Sequence, residues 1–106
     1  MAATPESKVK KQVRQLLDEY EIYHFMPPAN GFGRAGIPDI IGCFRGQFIA
    51  VECKAGKNTT TALQDRELQR IKDAGGVSFV ASETNLNELK ELLIWMTTRK
   101  TLAPQK

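Results

Sequence analysis

The spacing of hydrophobic residues along the chain predicts three amphipathic helices. Within three segments apolar residues recur every three or four positions, with polar and charged residues between them, as in a helix that buries one face. These segments are residues 5–20, 61–74 and 86–98. Thr4 followed by Pro5 is typical of a helix start, and Asn85 with Glu88 predicts a capping box at the start of the last helix.

Four short runs rich in β-branched and aromatic residues predict strands. These runs are residues 22–26, 38–44, 47–54 and 77–81. The second and third runs are almost continuously apolar, which predicts central strands covered on both faces. Arg45-Gly46 joins them as a tight hairpin turn. The resulting order, α-β-β-β-α-β-α, predicts an α/β fold with a mixed central sheet flanked by helices.

The hairpin turn determines which residues of its two strands lie opposite each other. A two-residue turn pairs Phe44 with Gln47, and counting outwards from that pair places Asp39 opposite Glu52. Directly opposite residues share a face of the sheet, with Cβ atoms about 5 Å apart. Lys54 lies two residues beyond Glu52 and therefore on the same face. The sequence predicts two carboxylates and an amine at one end of an apolar hairpin.

Two carboxylates placed this close together repel each other, and a hard divalent cation relieves the repulsion. Mg²⁺ prefers oxygen ligands, commonly one or two carboxylates with water and substrate phosphate. We therefore expect Asp39 and Glu52 to bind Mg²⁺, with Mn²⁺ as a substitute, and Lys54 to serve the attacking water. Such a site hydrolyses phosphodiesters. The alternative is a structural ion-pair cluster in which Lys54 neutralises a carboxylate.

The same residues resemble the signature of the PD-(D/E)XK nuclease superfamily. Pro38-Asp39 is followed, after twelve residues, by Glu52-Cys53-Lys54, and Gln64 lies in the next helix. Within the superfamily, the chain is most similar to the VRR-Nuc family, the virus-type replication-repair nucleases, through Gly36-Ile37-Pro38-Asp39-Ile40 and Val51-Glu52-Cys53-Lys54. The resemblance extends over about residues 6–80.

This resemblance implies a restriction-endonuclease-like form of the α/β fold and a set of catalytic residues. The implied catalytic residues are Asp39, Glu52, Lys54, Gln64 and Glu6, of which Asp39 and Glu52 are the metal ligands. Gln64 also lies on the apolar side of its helix, where its amide needs a partner, either the hairpin acids or the backbone. Glu6 also suits the N-terminus of a helix without any catalytic role.

The charge of the chain suits a polyanionic partner. Fifteen Lys and Arg residues exceed twelve Asp and Glu residues, for a net charge of +3. The cations of the first helix and of the glycine-rich loop before Pro38 are expected to contact DNA phosphates, or else to be solvated surface residues. They are Lys8, Lys10, Lys11, Arg14 and Arg34. The loop lacks the Gly-Lys-Ser/Thr ending of a nucleotide-binding P-loop.

The length of 106 residues predicts a single domain, residues 1–106, with a disordered tail over about residues 101–106. With neither a signal-peptide pattern nor a membrane-spanning apolar run, we expect a cytoplasmic protein without membrane partners or a small-molecule cofactor. Cys43 and Cys53 fall on opposite faces of the hairpin, so we expect no disulfide between them.

We expect the chain to be a Mg²⁺-dependent, structure-specific DNA endonuclease. Stand-alone members of the family resemble Holliday junction resolvases, which cut branched DNA as homodimers. The consecutive apolar residues 92–96 and Phe32 offer an interface, although the last helix could instead be buried within the monomer. The alternatives are a flap or nicking nuclease of the same chemistry and a non-catalytic nucleic-acid-binding module.

Overall fold

A computed structural model of the chain describes residues 4–28 and 34–99. The elements are α1 (Pro5–Glu19), β1 (Tyr23–Phe25), β2 (Ile40–Phe44), β3 (Gln47–Cys53), α2 (Ala62–Asp73), β4 (Val77–Ala81) and α3 (Leu86–Thr98). Their types and order confirm the sequence prediction. Phe32 and the expected tail lie outside the described residues. No helix within the described ranges is long and apolar enough to cross a membrane.

The four strands form one mixed sheet in the order β1-β2-β3-β4. The first three strands are antiparallel, whereas β4 runs parallel to β3, because α2 carries the chain back along the sheet between them. Within the hairpin, Phe44 pairs with Gln47 and Ile40 pairs with Val51. The predicted register is therefore confirmed along the whole ladder.

The hairpin turn has the backbone conformation that this register requires. Arg45 has a φ of 50° and Gly46 a φ of 87°, as expected for a two-residue type I′ turn. Glycine adopts such an angle without steric cost, whereas arginine does so less readily. The tight turn therefore places Asp39 at the level of Glu52. Asp39 lies seven residues before Gly46, at the far end of the hairpin.

Helices α1 and α3 cover one face of the sheet and bury the core there. The side chains of Ile49, Val51 and Cys53 alternate along β3 towards these helices and are at most 1% exposed. The helices contribute Val9, Val13, Leu17, Leu89, Leu93 and Met96 to the same cluster. This removal of apolar surface from water is the main force that holds the layers together.

The opposite face of the sheet is only half covered, because α2 packs against β4 and β3. Tyr23, Phe25 and Phe48 lie on this face and are 72%, 46% and 40% exposed. The prediction that both central strands are covered on both faces therefore holds for β3 over residues 49–53, which are all buried, and was wrong for β2, where Ile41 and Cys43 are only half-buried. A continuous apolar run shows that a strand is central but does not show how far a helix reaches across it.

The capping box forms on a different helix from the one predicted. The side chain of Asn85 makes no capping hydrogen bond to α3, because its Oδ1 accepts from the Ser82 N–H and its Nδ2 donates to the Val80 carbonyl, both at 2.8 Å. The box instead starts α2, where the Gln64 N–H donates to Thr61 Oγ1 at 3.2 Å and the Thr61 N–H donates to Gln64 Oε1 at 3.0 Å.

Candidate active site

Asp39 and Glu52 lie together at the open end of the hairpin. Asp39 immediately precedes β2, and its Oδ2 accepts a hydrogen bond from the Cys53 N–H at 2.8 Å. This bond crosses from one strand to the other, so the carboxylate of Asp39 is fixed beside the end of β3. Glu52 is 2% exposed, whereas the side chain of Asp39 is 22% exposed. One acid is therefore buried, and the other is partly exposed.

The two oxygens of Glu52 have different environments. Oε2 accepts a hydrogen bond from Gln64 Nε2 at 3.1 Å and lies 3.5 Å from Lys54 Nζ. Oε1 is buried and has no hydrogen-bond partner among the described residues. A buried carboxylate oxygen without a partner costs free energy. Oε1 is therefore the atom of this cluster that a further ligand would satisfy.

The position of Lys54 follows from the pairing of β3 with β4. Its N–H donates to the Ala81 carbonyl at 2.9 Å, which extends the parallel ladder by one residue beyond β3. The side chain is 14% exposed and shares the face of Glu52, as the period of two predicts. The ladder therefore keeps the amine of Lys54 beside the acids.

The side-chain amide of Gln64 binds both of the partners that its place in the sequence suggests, the backbone and a hairpin acid. Its Oε1 closes the capping box with Thr61, and its Nε2 donates to Glu52 Oε2. Because one amide does both, the first turn of α2 is tied to the buried acid. Asp39, Glu52, Lys54 and Gln64 thus belong to one connected cluster.

Burial and the negative charge of Asp39 raise the pKa of Glu52 to about 7, against the lowering effect of Lys54. Burial and the charges of Asp39 and Glu52 likewise raise the pKa of the Cys53 thiol to about 12. Cys53 therefore stays protonated near neutral pH and is not a nucleophile. Cys43 and Cys53 are both free, so the expectation that they form no disulfide is confirmed.

The donor set of the cluster fits a hard divalent cation. Asp39 and Glu52 supply carboxylate oxygens, one of them buried and without a partner, and Mg²⁺ usually completes such a site with water. Among residues 4–28 and 34–99, no group of three or more His, Cys, Asp or Glu side chains is close enough to hold a metal. A cation here would rely on two carboxylates, as the sequence predicts.

Lys10 connects Glu6 to the acidic cluster. Its Nζ lies 3.7 Å from Glu6 Oε2 and 3.7 Å from Asp39 Oδ1. Glu6 is therefore linked to the cluster through its ion pair with Lys10. Lys10 was predicted as a phosphate contact on the outer surface of α1, but the helix turns it towards Asp39. The pattern of α1 could not show this, because it gives no information on what packs beside the helix.

A cleft of about 620 Å³ opens beside this ion pair, between the start of α1 and the loop after β3. Glu6, Lys10 and Glu83 line it. Sequence reasoning missed Glu83, whose Oε2 accepts from the Gly56 N–H at 2.9 Å. Hydrogen bonding to its own backbone N–H, and then to that of Gly56, lowers the pKa of the exposed Glu83 carboxyl. No sequence signal marks this residue, because it reaches the cleft only through the return of the chain after β4.

Arg34 fastens the segment that leads into Asp39 to α2. Its Nε donates to Glu67 Oε1 at 3.2 Å, and the Glu67 side chain is 3% exposed while that of Arg34 is 62% exposed. Gly36 has a φ of 85°, and a Cβ there would lie 2.5 Å from the Leu63 carbonyl oxygen. The loop leading into Asp39 is thus held against α2 at two points. Sequence reasoning missed Glu67, although its place three residues after Gln64 marks it as a polar residue on the buried side of α2.

The remaining predicted cations of α1 are exposed. Lys11 and Arg14 line a groove of about 440 Å³ along the outside of the helix, which Lys10 also borders. Lys8 is exposed as well but does not line this groove. The groove therefore places two solvent-exposed cations next to the end of the sheet that carries Asp39.

The sequence matches no protein-family model and no curated protein. The functional interpretation therefore depends on the motif residues and on the geometry of their cluster.

Proposed function

We propose that the chain is a Mg²⁺-dependent DNA endonuclease with a restriction-endonuclease-like fold and a VRR-Nuc-type active site. The observation that carries the proposal is the convergence of Asp39, Glu52, Lys54 and Gln64, in which a buried carboxylate oxygen lacks a partner. Glu67, the ion-pair partner of Arg34, also has a buried oxygen without a partner, so the bare oxygen of Glu52 supports the proposal only because Asp39, Lys54 and Gln64 converge on the same carboxylate. A nuclease site leaves it available for a cation.

In this proposal each residue has a distinct task. Mg²⁺ held by Asp39 and Glu52 would acidify water and neutralise charge on the phosphate. Lys54, 3.5 Å from Glu52 Oε2, orients the attacking water or meets the negative charge that develops on the phosphate. Gln64 holds Glu52 Oε2 and so keeps Oε1 directed to the ligand. The Cys53 N–H fixes Asp39 in the same way.

Lys10 and Glu6 surround the cluster on the side of the cleft. The amine of Lys10 lies between two carboxylates, so it balances their charge and remains within reach of a DNA phosphate in the cleft. Glu6 holds that amine in place. We propose that Lys10 positions Asp39 and that Glu6 acts on the site through Lys10.

The preferred substrate in this proposal is branched DNA, a Holliday junction in particular, cut by a homodimer in the cytoplasm. A two-fold dimer presents two identical sites to two strands. On α3, Ile94 and Trp95 are 42% and 48% exposed, while Leu89, Leu93 and Met96 are buried. The helix thus completes the monomer core and still offers an apolar outer side. A flap or nicking nuclease would need only one copy.

The test of the function uses labelled four-way junction, flap, nicked and linear duplex DNA with Mg²⁺, with Mn²⁺ and with EDTA. We expect cleavage of the junction in either metal and none in EDTA. Preferential cutting of the flap or nicked duplex would select the alternative nuclease. Binding of DNA without cutting of any substrate in either metal would make the chain a non-catalytic binding module.

The oligomeric state gives a separate prediction. Light scattering over a dilution series should give about twice the 11.8 kDa mass of one chain at micromolar protein, and Trp95→Ala should reduce this mass, because exposed aromatic residues anchor interfaces. Leu63→Ala, in an exposed position on α2, is the matched control. A mass near 11.8 kDa both with and without junction DNA would rule out the dimeric resolvase.

The metal-free protein should lose stability as the pH rises from 5 to 7. The pKa of Glu52 is raised from 4.5 to about 7 in the folded chain, so in this window the folded state retains a proton that the unfolded state has released. The loss of stability stops above about pH 7, because the folded state has then released the proton as well. Thermal melts in EDTA measure the slope, and Glu52→Gln should flatten it. An equal slope in both proteins would contradict the assigned pKa.

The groove along α1 should supply phosphate contacts. Replacing Lys11 or Arg14 by Gln should make the log–log salt dependence of duplex binding shallower by about one unit each, because each contact releases about one counterion. Lys90→Gln, in an exposed position on α3, should leave the slope unchanged. Binding measured in EDTA avoids cleavage. If neither groove variant alters the slope, the groove is solvated surface.

A further inference from the structure

The uncovered half of the sheet carries three aromatic side chains in register with the acidic cluster. Tyr23 pairs with Cys43, which pairs with Phe48, and one row closer to the acids Phe25 pairs with Ile41. Residues paired in this way share one face of the sheet. We call Tyr23, Phe25 and Phe48 the aromatic face.

This aromatic face leads directly to the candidate active site. Two residues further along the same strands, the register reaches Asp39 and Glu52. Successive rows on one face of an antiparallel sheet are separated by roughly 7 Å. The aromatic rings therefore occupy the first and second rows beyond the acids, on the same side of the sheet.

The rings are accessible, and arginines border them. Tyr23 is 72% exposed and Phe25 is 46% exposed, with their ring centroids 6.3 Å apart. Phe48 lines a cavity of about 440 Å³ together with Arg34 and Arg70. Aromatic rings for bases and cations for phosphates are the two components that single-stranded nucleic-acid sites combine.

We propose that the aromatic face binds unpaired nucleotides of the DNA substrate by stacking their bases on Tyr23, Phe25 and Phe48. This inference rests on the proposed function and adds to it the feature of branched DNA that the protein recognises. Four-stranded sheets that bind single strands use aromatic side chains of adjacent strands in this way. Arg34 and Arg70 neutralise the backbone of the bound segment.

A second copy of the chain is a less suitable occupant of this face. A two-fold contact through Tyr23 and Phe25 would place the partner one row from Asp39 and Glu52 and would obstruct the approach of DNA to them. Stacked bases, by contrast, extend a DNA strand from row to row along the direction of the β-strands, towards the acids. The outer side of α3, with Trp95 and Ile94 exposed, remains available for self-association.

The test compares two fluorescent twelve-nucleotide probes in EDTA, oligothymidine and an abasic strand with the same number of phosphates. We expect the wild-type protein to bind oligothymidine at least about tenfold more tightly, because stacking stabilises each bound base. Tyr23→Ala and Phe48→Ala should each reduce this preference about fivefold or more and leave abasic binding unchanged. Tyr23→Phe, which keeps the ring, should retain the preference.

Leu63→Ala is the matched control, because Leu63 is an exposed apolar residue on α2, outside the aromatic face, and should not affect the preference. Equal affinity of the wild-type protein for both probes would overturn the inference. So would a loss of dimer mass in Tyr23→Ala, which would assign the face to self-association. A base preference without Mg²⁺-dependent cleavage of any DNA would refute the proposed nuclease activity and still support base stacking on the aromatic face.

Discussion

Glu52→Gln should reduce DNA cleavage at least about a thousandfold while the chain keeps its fold. The carboxylate is buried at 2% exposure, and its Oε1 has no partner among the described residues, so its proposed task is to hold the cation. A neutral amide of the same shape still accepts from Gln64 but is a poor ligand for Mg²⁺. Loss of one preorganised electrostatic group lowers the catalytic rate about 100- to 1,000-fold, and loss of the metal lowers it further.

The same substitution should leave the melting temperature at pH 8 unchanged or raise it, because the amide has no charge to bury. Asp39→Asn should be equally inactive and should still accept the Cys53 N–H. Glu91→Gln, in an exposed position on α3, is the matched control and should cut normally. Single-turnover rates on junction DNA measure all three. Cleavage at the wild-type rate by Glu52→Gln or Asp39→Asn would refute the metal site.

Lys54→Ala should slow cleavage at least about a hundredfold, the usual loss for a general base or an electrostatic stabiliser. The amine lies 3.5 Å from Glu52 Oε2 and is 14% exposed, so water replaces it poorly. DNA binding in EDTA should change little, because this amine faces the acids. The loss should therefore appear in the rate at saturating DNA and not in the affinity.

Lys57→Ala provides the comparison, because Lys57 lies three residues later in an exposed position. It should cut at the wild-type rate, with any small effect confined to the affinity. A Lys54→Ala enzyme that cuts normally, or one whose only defect is weaker DNA binding, would remove Lys54 from the chemistry and leave it as a partner of Glu52.

The local geometry of the candidate site was predictable because it depends on short-range rules. The two-residue turn at Arg45-Gly46 determines the strand register, and the register puts Asp39 level with Glu52. The period of two places Lys54 on the same face. None of this requires knowledge of what packs against the hairpin.

The contacts between elements were not predictable in the same way. Lys10 lies against Asp39, and Arg34 pairs with Glu67, which is 33 residues away along the chain. The hydrophobic pattern of α1 identifies its buried face but not the neighbours of its polar side chains. Asn85 likewise occupies the predicted N-cap position of α3, but its side chain holds the end of β4 and does not cap the helix, because its amide has several backbone partners within reach.

The sequence by itself determined the order of the elements, the hairpin register and the cluster of Asp39, Glu52 and Lys54. These follow from periodicity and turn geometry, which act over a few residues. Only the tertiary structure decided that Glu52 Oε1 is buried without a partner and that Tyr23, Phe25 and Phe48 remain uncovered. Burial depends on how far α2 extends across the sheet, and that distance is set by the packing of whole elements.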